Sequence, residues 1–271
     1  RGVTRAWVLL VLVACSGAES RSEAETDESE PEPEMAPEAE PEPETPADSL
    51  ARELWRSAGG EGLDEVAQID FRFVVTDGDE TAFEAAHRWD RRGARDRVTW
   101  TDRQGAVQDA VVNLETKRAC GHIDGRAVGG DPLAALGQSA YGRWVNDAYW
   151  LMVPLKVLDP GVSRRLLEPE GETRRLELTF ADVGLTPGDR YVLEIDPEGR
   201  LVRWEMALEG MEAGDEPTGV TFEGHTTIGP LTLPLEHTAE GDDGTRRILL
   251  KDVAVHETVQ EEVFAIRGCA G

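Results

Sequence analysis

The chain has 271 residues and a formal net charge of −26 at pH 7, with 54 Asp and Glu against 28 Lys and Arg. This acidity argues against binding to the phosphate backbone of nucleic acids, which requires clustered basic side chains. The first fifty residues lack the composition of folded protein, so about 220 remain, enough for one domain with a sizeable core.

The first fifteen residues have the features of an export signal. Arg1 and Arg5 precede an apolar run, Ala6–Val13, that is too short to span a bilayer, for which about 20 apolar residues are needed. The run ends in Leu12-Val13-Ala14-Cys15, which resembles the lipobox of bacterial lipoproteins, whose cysteine is lipidated and becomes the mature N-terminus. We therefore expect a signal peptide at residues 1–15 and lipid on Cys15. The alternative is an ordinary secretory signal with a chance cysteine.

The three cysteines of the chain fit this interpretation. If Cys15 carries lipid, Cys120 and Cys269 remain as a pair in an oxidising compartment. A disulfide between them would close a loop of roughly 150 residues and contribute about 4–5 kcal/mol in the chain-entropy model. Two unrelated thiols are the alternative.

Residues 16–48 have the composition of a tether. The segment is built mostly of Glu, Pro, Ala, Ser and Thr, and Met35 is its one large apolar side chain. It cannot bury enough surface to offset its ordering entropy, so we expect a disordered, extended spacer of several tens of ångströms, at about 3.1 Å per residue. A metal-binding or partner-binding acidic tail is the less specific alternative.

Helical and strand patterns follow. Leu50 and Leu54 lie at helical spacing and predict a short amphipathic helix over Asp48–Ala58, capped by Asp48 or Ser49. Stretches separated by glycines then predict four strands: Ile69–Val75, Phe83–Trp89, Arg97–Thr101 and Val107–Leu114.

The middle of the chain has a different period. Apolar residues recur at spacings of three and four between Pro132 and Trp150, which predicts a helix that begins at Asp131. Two internal glycines weaken the pattern. An aromatic, apolar block follows and is broken at Pro154.

Strand patterns resume after this block. Consecutive strands are joined by short turns, as in hairpins, so we expect a mostly antiparallel sheet of ten or eleven strands. Pro197-Glu198-Gly199 supplies one of the turns. The predicted strands are Arg174–Phe180, Tyr191–Asp196, Leu201–Met206, Val220–Thr227, Leu231–His237, Arg246–Leu250 and Val253–Glu257.

Several of these segments resemble one known family. Tyr191–Trp204 is similar to the central hairpin of Lol-type (LolA/LolB-like) lipoprotein carriers. With the N-terminal helix, the resemblance spans most of Leu50–Ile266, and it rests on turns and alternation rather than on catalytic motifs. Three later segments resemble the last strands of the family: Gly229–Pro234, Gly244–Ile248 and Val253–His256.

The resemblance implies an α+β fold for residues 49–271. The family fold is a strongly curved, mostly antiparallel sheet, an unclosed half-barrel, whose concave face is covered by helices and holds acyl chains. The two predicted helices would form this cover. No residue-level motif carries lipoprotein transfer itself, and a fold alone does not define a function.

The sequence carries no recognised catalytic motif: no phosphate-binding glycine loop, no nucleophile elbow and no zinc-protease signature. Ser139 falls inside the predicted helix rather than after a strand. Glu223 and His225 share a strand face and could supply two metal ligands, but single histidines on strands are more often surface or core groups. We expect a non-enzymatic protein with no metal and no cofactor.

The aromatic residues are more informative, since seven are tryptophans. They indicate either a plain hydrophobic core or an apolar ligand cavity. We expect ligand contacts from four residues of the second predicted helix and the apolar block after it: Trp144, Tyr149, Trp150 and Met152.

The leading functional hypothesis is a membrane-anchored, non-catalytic lipoprotein that binds a lipid or another apolar molecule. The alternative is an interaction or scaffold lipoprotein with a solid core and no ligand. Ser16, directly after the cysteine, resembles lipoproteins of the outer membrane, so we expect the chain to be anchored there and to face the periplasm.

Overall fold

The structure is a computed structural model that describes residues 44–180, 188–207, 218–240 and 246–267. The predicted signal peptide, Cys15, residues 16–43 of the tether and Cys269 lie outside these ranges. The elements, in chain order, are α1 (Pro46–Ser57), a 3₁₀ helix (Gly60–Glu65), β1 (Gln68–Asp77), β2 (Glu80–Asp90), β3 (Arg95–Thr101), β4 (Val107–Asn113), β5 (Ala119–Ile123), β6 (Arg126–Ala127), α2 (Gly130–Lys156), β7 (Val162–Glu170), β8 (Thr173–Phe180), β9 (Arg190–Ile195), β10 (Leu201–Ala207), β11 (Thr218–Glu223), β12 (Thr226–Ile228), β13 (Leu231–Leu233), β14 (Glu236–Ala239), β15 (Arg246–His256) and a second 3₁₀ helix (Glu261–Phe264).

Thirteen of these strands form one sheet, in the order β6-β5-β4-β3-β2-β1-β15-β14-β11-β10-β9-β8-β7. Neighbouring strands pair antiparallel throughout, as in β1 with β2 and β15, and β12 and β13 form a separate hairpin. The sheet does not close on itself, because β6 and β7 are its two edges among the described residues. The predicted α+β fold with an unclosed antiparallel sheet is confirmed.

The path of α2 shows that the sheet is strongly curved. Gly137 of α2 lies against Ala119 of β5, and Tyr149 of the same helix contacts Phe180 of β8. β5 and β8 are ten positions apart, which is about 48 Å in a flat sheet, whereas Gly137 and Tyr149 are only about 18 Å apart along a helix. The sheet therefore bends around α2, which covers its concave face.

α2 contributes to every part of the hydrophobic core. Its Ala140 is buried with residues of β2, β3 and β4, its Leu151 with residues of β1 and β13, and its Val153 with residues of β8 to β11. A helix that is apolar on several sides is expected at the centre of a core rather than on its surface.

α1 begins at Pro46, two residues earlier than predicted, and Thr45 is its N-cap rather than Asp48 or Ser49. The Thr45 Oγ1 accepts a hydrogen bond from the Asp48 backbone (3.1 Å), and the Asp48 carboxylate accepts one from the Thr45 backbone (3.3 Å). This is a capping box with proline in the first turn. Residues 46–48, assigned to the tether from the sequence, are thus part of the first helix.

Replacing Thr45 with alanine is expected to lower the free energy of unfolding by about 1 kcal/mol, because the first turn of α1 loses its side-chain cap. Urea denaturation measures this change. Ser49→Ala is the matched control, since Ser49 is exposed inside the first turns of α1. An equal loss in both variants would contradict the assignment of the cap.

The middle helix is longer than predicted, since α2 starts at Gly130 and continues through Pro154 to Lys156. Proline in a helix removes one backbone hydrogen bond. Here Pro154 lies in the last turn, and its neighbours Val153 and Leu155 are buried in the core. Gly137, which weakened the sequence pattern, has a packing reason, since an added Cβ would lie 2.8 Å from the Cβ of Ala119.

Strands β5, β6 and β7 were not predicted, whereas the two strands predicted after Arg246 form one strand, β15. The sequence pattern broke there because β15 contains an irregularity: Asp252 has a φ of 52°, and its register against β1 shifts between Asp70 and Arg72. This is a β-bulge, which interrupts alternation without ending the strand.

Candidate functional site

An aromatic cluster fills the space between the C-terminal half of α2 and the concave face of the sheet. Its centre is Trp204, whose ring centroid lies 4.8 Å from that of Trp150, 5.0 Å from that of Tyr191 and 6.1 Å from that of Tyr149. The members come from α2 and five strands: Tyr149, Trp150, Phe180, Tyr191, Trp204, Phe222 and His237.

Burial divides this aromatic cluster into an inner and an outer part. Trp204, Phe222 and His237 are almost completely buried, at 1%, 2% and 1% exposure. The two α2 rings, with Phe180 and Tyr191, are only partly buried. The outer part therefore presents large apolar edges at the margin of the core.

The inner part contains polar atoms that have no hydrogen-bond partner among the described residues: Nε1 of Trp204 and both ring nitrogens of His237. Burial, together with the nearby His225, lowers the pKa of His237 to about 3, so its imidazole is neutral at neutral pH. In the outer part, the Tyr191 hydroxyl donates to the buried Asp189 carboxylate at 3.0 Å.

The four residues predicted to contact a ligand are divided between two regions. Tyr149 and Trp150 meet in the aromatic cluster through Trp204. Trp144 packs edge-on against Trp89 of β2, with ring centroids 5.6 Å apart, and Met152 is buried beside β1 and β13. Trp150 belongs to both regions, since it also packs against the core cluster that contains Met152 and contacts Trp144, and ligand contact by the four residues stays a prediction.

A buried charged triad fixes the middle of α2 to the sheet. His87 of β2 contacts Asp96 of β3 through Nδ1 at 2.8 Å and Asp147 of α2 through Nε2 at 3.1 Å. All three side chains have 0% exposure. Phe71 stacks on the imidazole with ring centroids 4.6 Å apart, and Asn146 donates to Asp147 at 2.7 Å.

The charges of this triad follow from its geometry. Burial alone would lower the pKa of His87, but attraction to Asp96 and the hydrogen bond to Asp147 outweigh burial and raise it to about 9. Burial raises the pKa of Asp96, an effect that His87 opposes. At neutral pH the His87 imidazolium is thus held between the side chains of Asp96 and Asp147. Sequence reasoning missed the triad, although an acidic residue on the buried face of α2 was a usable signal.

The residues considered for metal binding or nucleophilic catalysis have other roles. His225 Nε2 lies 3.0 Å from the backbone oxygen of Leu201, and Ser139 is exposed on α2. In the part of the chain that the structure describes, no group of three or more His, Cys, Asp or Glu has the arrangement of a metal site. A cavity of about 10 Å³ beside His225, lined also by Leu54, Pro154 and Leu201, has room for no more than about one water.

The cysteine prediction concerns one described residue. Cys120 lies partly buried on β5 and is disulfide-bonded. Cys269 lies outside the described residues, so its pairing with Cys120 stays a prediction.

The fold defines a class: a half-barrel in which an open, strongly curved antiparallel sheet wraps a central helix. No protein-family model and no curated protein matches the chain. Among solved structures it is similar to a DUF1329 family protein from Desulfovibrio piger, with a TM-score of 0.44 and 10% identity over 81% of this chain and 97% of that chain. It is also similar to a putative outer membrane lipoprotein-sorting protein domain from Vibrio parahaemolyticus, with a TM-score of 0.42 and 12% identity over 80% and 94%.

A third structure, MucB, has a TM-score of 0.23 and 15% identity over 80% of this chain and 95% of that chain. The fold class rests on the strand order and curvature described above. No described helix is both long enough and apolar enough to cross a membrane.

Proposed function

We propose that this chain is a membrane-anchored, non-catalytic lipoprotein of the bacterial envelope that binds an apolar ligand between α2 and the concave face of the sheet. The observation that supports this most is the graded burial of the aromatic cluster. Its outer rings are partly accessible, and they lead inward to Trp204 at its centre.

Trp150 is the residue through which a ligand would enter. Its ring contacts Trp204, Phe222 and His237 but stays partly exposed. An acyl chain that displaces this ring gains about 0.8 kcal/mol per buried CH₂, and the contacts of the displaced ring offset part of that gain. The aromatic cluster then acts as a plug that a ligand replaces, so no large preformed cavity is required.

The N-terminal segments complete the proposal. A lipid on Cys15 and the tether would hold the half-barrel away from an anionic membrane surface, and Ser16 favours the outer membrane, facing the periplasm. The acidic charge of the tether keeps it extended. In this proposal the lipid anchor holds the protein at the membrane, and the half-barrel binds the apolar ligand.

The test is to purify the protein from a bacterial envelope, analyse co-purifying lipids by mass spectrometry, and titrate the lipid-free protein with lauroyl methyl ester while monitoring tryptophan fluorescence. We expect bound acyl lipids and saturable quenching. Tyr149→Ala should weaken binding about tenfold through lost aromatic contact.

Tyr141→Ala is the matched control, because Tyr141 is a partly buried tyrosine of the same helix that contacts Trp144 outside the aromatic cluster. Its affinity should stay within about twofold of the wild type. Absence of both co-purifying lipid and saturable binding would overturn the proposal, and equal losses in the two variants would move the site elsewhere.

A second candidate function is that of an interaction or scaffold lipoprotein with a solid core. It is favoured by β7, which forms one edge of the sheet and carries Leu166 with 45% exposure. A sheet edge can pair with a strand of another protein. A photo-crosslinking amino acid at position 166 should then capture one envelope protein, while the chain purifies without lipid.

A further inference from the structure

We infer that the inner part of the aromatic cluster is a hydrogen-bonding site for an uncharged carbonyl group, so that the ligand is an acyl ester or amide rather than a free fatty acid or a phosphate. This inference rests on the proposed apolar-ligand function and names the ligand class. The observation behind it is the set of unpartnered buried nitrogens on Trp204 and His237. Leaving such groups unpaired costs roughly 1–3 kcal/mol each.

The two side chains border the same space. Phe222 lies 4.5 Å from the His237 ring and 5.1 Å from the Trp204 ring, measured between ring centroids. The Trp150 ring centroid lies 5.5 Å from that of His237 and 4.8 Å from that of Trp204. Trp150 therefore packs against both rings, and it alone of these four rings is partly exposed. A ligand that displaces Trp150 would contact both rings.

The chemistry of the two groups selects the ligand. The indole N–H of Trp204 donates only, and a neutral imidazole donates from one nitrogen and accepts at the other. A carbonyl oxygen has two lone pairs and can accept hydrogen bonds from two donors. The titratable group that acts on His237 from the neighbouring loop is His225, whose own pKa burial lowers. Arg200 acts on the pKa of His225 but not on that of His237. Among the described residues, a carboxylate or phosphate at His237 would thus be buried without a cation, which is unfavourable.

The experiment compares three ligands of equal chain length on the wild-type protein: lauroyl methyl ester, laurate at pH 8 and dodecane. Displacement of a fluorescent acyl probe measures their affinities. The ester should bind about tenfold more tightly than either of the others, the effect of one net hydrogen bond. The infrared carbonyl band of the bound ester should lie at lower frequency than that of the ester in hexane.

His237→Phe keeps the ring and removes its nitrogens, so it should abolish most of the preference for ester over dodecane and leave dodecane affinity within twofold. His122→Phe, on β5, is the control and should keep the preference. Equal affinity of the wild type for ester and dodecane, or an unshifted carbonyl band, overturns the inference while the apolar-ligand function stands. Failure of all three ligands to bind overturns both.

Discussion

Replacing His87 with leucine is expected to lower the free energy of unfolding by roughly 3–5 kcal/mol, because the two remaining carboxylates are left buried without a counter-charge. Asp96 and Asp147 lie on opposite sides of the imidazole and have 0% exposure, so solvent cannot screen them. For a domain of this size the melting temperature should fall by about 10 °C. Urea denaturation and thermal melting at pH 7 measure the loss.

A matched control exists on β5, three strands away from β2 in the sheet. His122 of β5 is partly exposed, and His122→Leu should change stability by no more than about 0.5 kcal/mol. Replacing His87, Asp96 and Asp147 together with leucine should recover at least half of the loss, because no charge is then buried. A loss below about 1 kcal/mol in His87→Leu would show that the triad is not an ion pair.

The loss should also be local to α2. Asp147 is the one member of the triad on this helix, so breaking the triad removes a fixed point between α2 and the strands β2 and β3. Amide hydrogen exchange should accelerate in α2 more than in α1, which packs against β7 and β8 through other residues. If ligands enter by displacing Trp150, the same variant should also exchange bound lipid faster.

Much of the sheet was predictable because its strands keep a period of two. Leu176 and Leu178 are buried in the apolar core, whereas Arg175 forms an ion pair with Glu170 and Glu177, although buried, forms one with Arg165, as the alternating sequence indicated. The edge strand β7 was missed for a physical reason. An edge strand pairs with a neighbour on one side only, and its other edge faces solvent. Val162–Glu170 therefore contains polar, apolar and proline residues without clear alternation.

Helix bounds were less predictable, because packing decided them. The apolar residues beyond Trp150 continue α2, because the helix buries Val153 and Leu155. The free energy gained from this burial offsets the cost of Pro154 in the last turn. In the same way, a sequence pattern cannot say which strand a helical side chain meets. It predicted ligand contact for Tyr149 and Trp150 but could not separate them from Trp144, which packs against Trp89 of β2.

The polar core residues were the hardest to predict. The sequence contains five histidines, and none of them lies in a local motif. His87 meets Asp147 across 60 positions, so only the tertiary structure brings them together. An aspartate at helical spacing from buried Ala140 and Leu151 was the one available signal, because buried acids are rare without a partner.

The free energy of unfolding should be largest near pH 6.5. It should decrease at higher pH because of His87 and at lower pH because of His237. The pKa of His87 is raised to about 9, so its contribution is complete below the unfolded pKa of 6.5 and is lost as pH rises through 9. That loss amounts to about 3 kcal/mol at 1.36 kcal/mol per pKa unit. The pKa of His237 is lowered to about 3, so stability falls as pH decreases below 6.5, by up to about 3 kcal/mol at pH 4.5.

Urea denaturation at half-unit intervals from pH 4.5 to 9.5 measures this profile, and variants separate its arms. His237→Phe should remove most of the loss of stability below pH 6.5 and leave the loss above pH 6.5 unchanged. The lowered pKa of His225 adds a smaller loss on the acid side. The triple leucine variant of the triad should remove the loss above pH 6.5 and keep the loss that His237 causes below it. Carboxylates with lowered pKa values, such as Glu53 and Asp196, add losses only at the acid end of the range. The raised pKa of Asp96 acts in the opposite direction, because its contribution to stability increases as pH falls, and the triple leucine variant removes that contribution as well. If the acid arm is flat in the wild type, His237 is not held neutral in the aromatic cluster, and the selection of an uncharged ligand loses its basis.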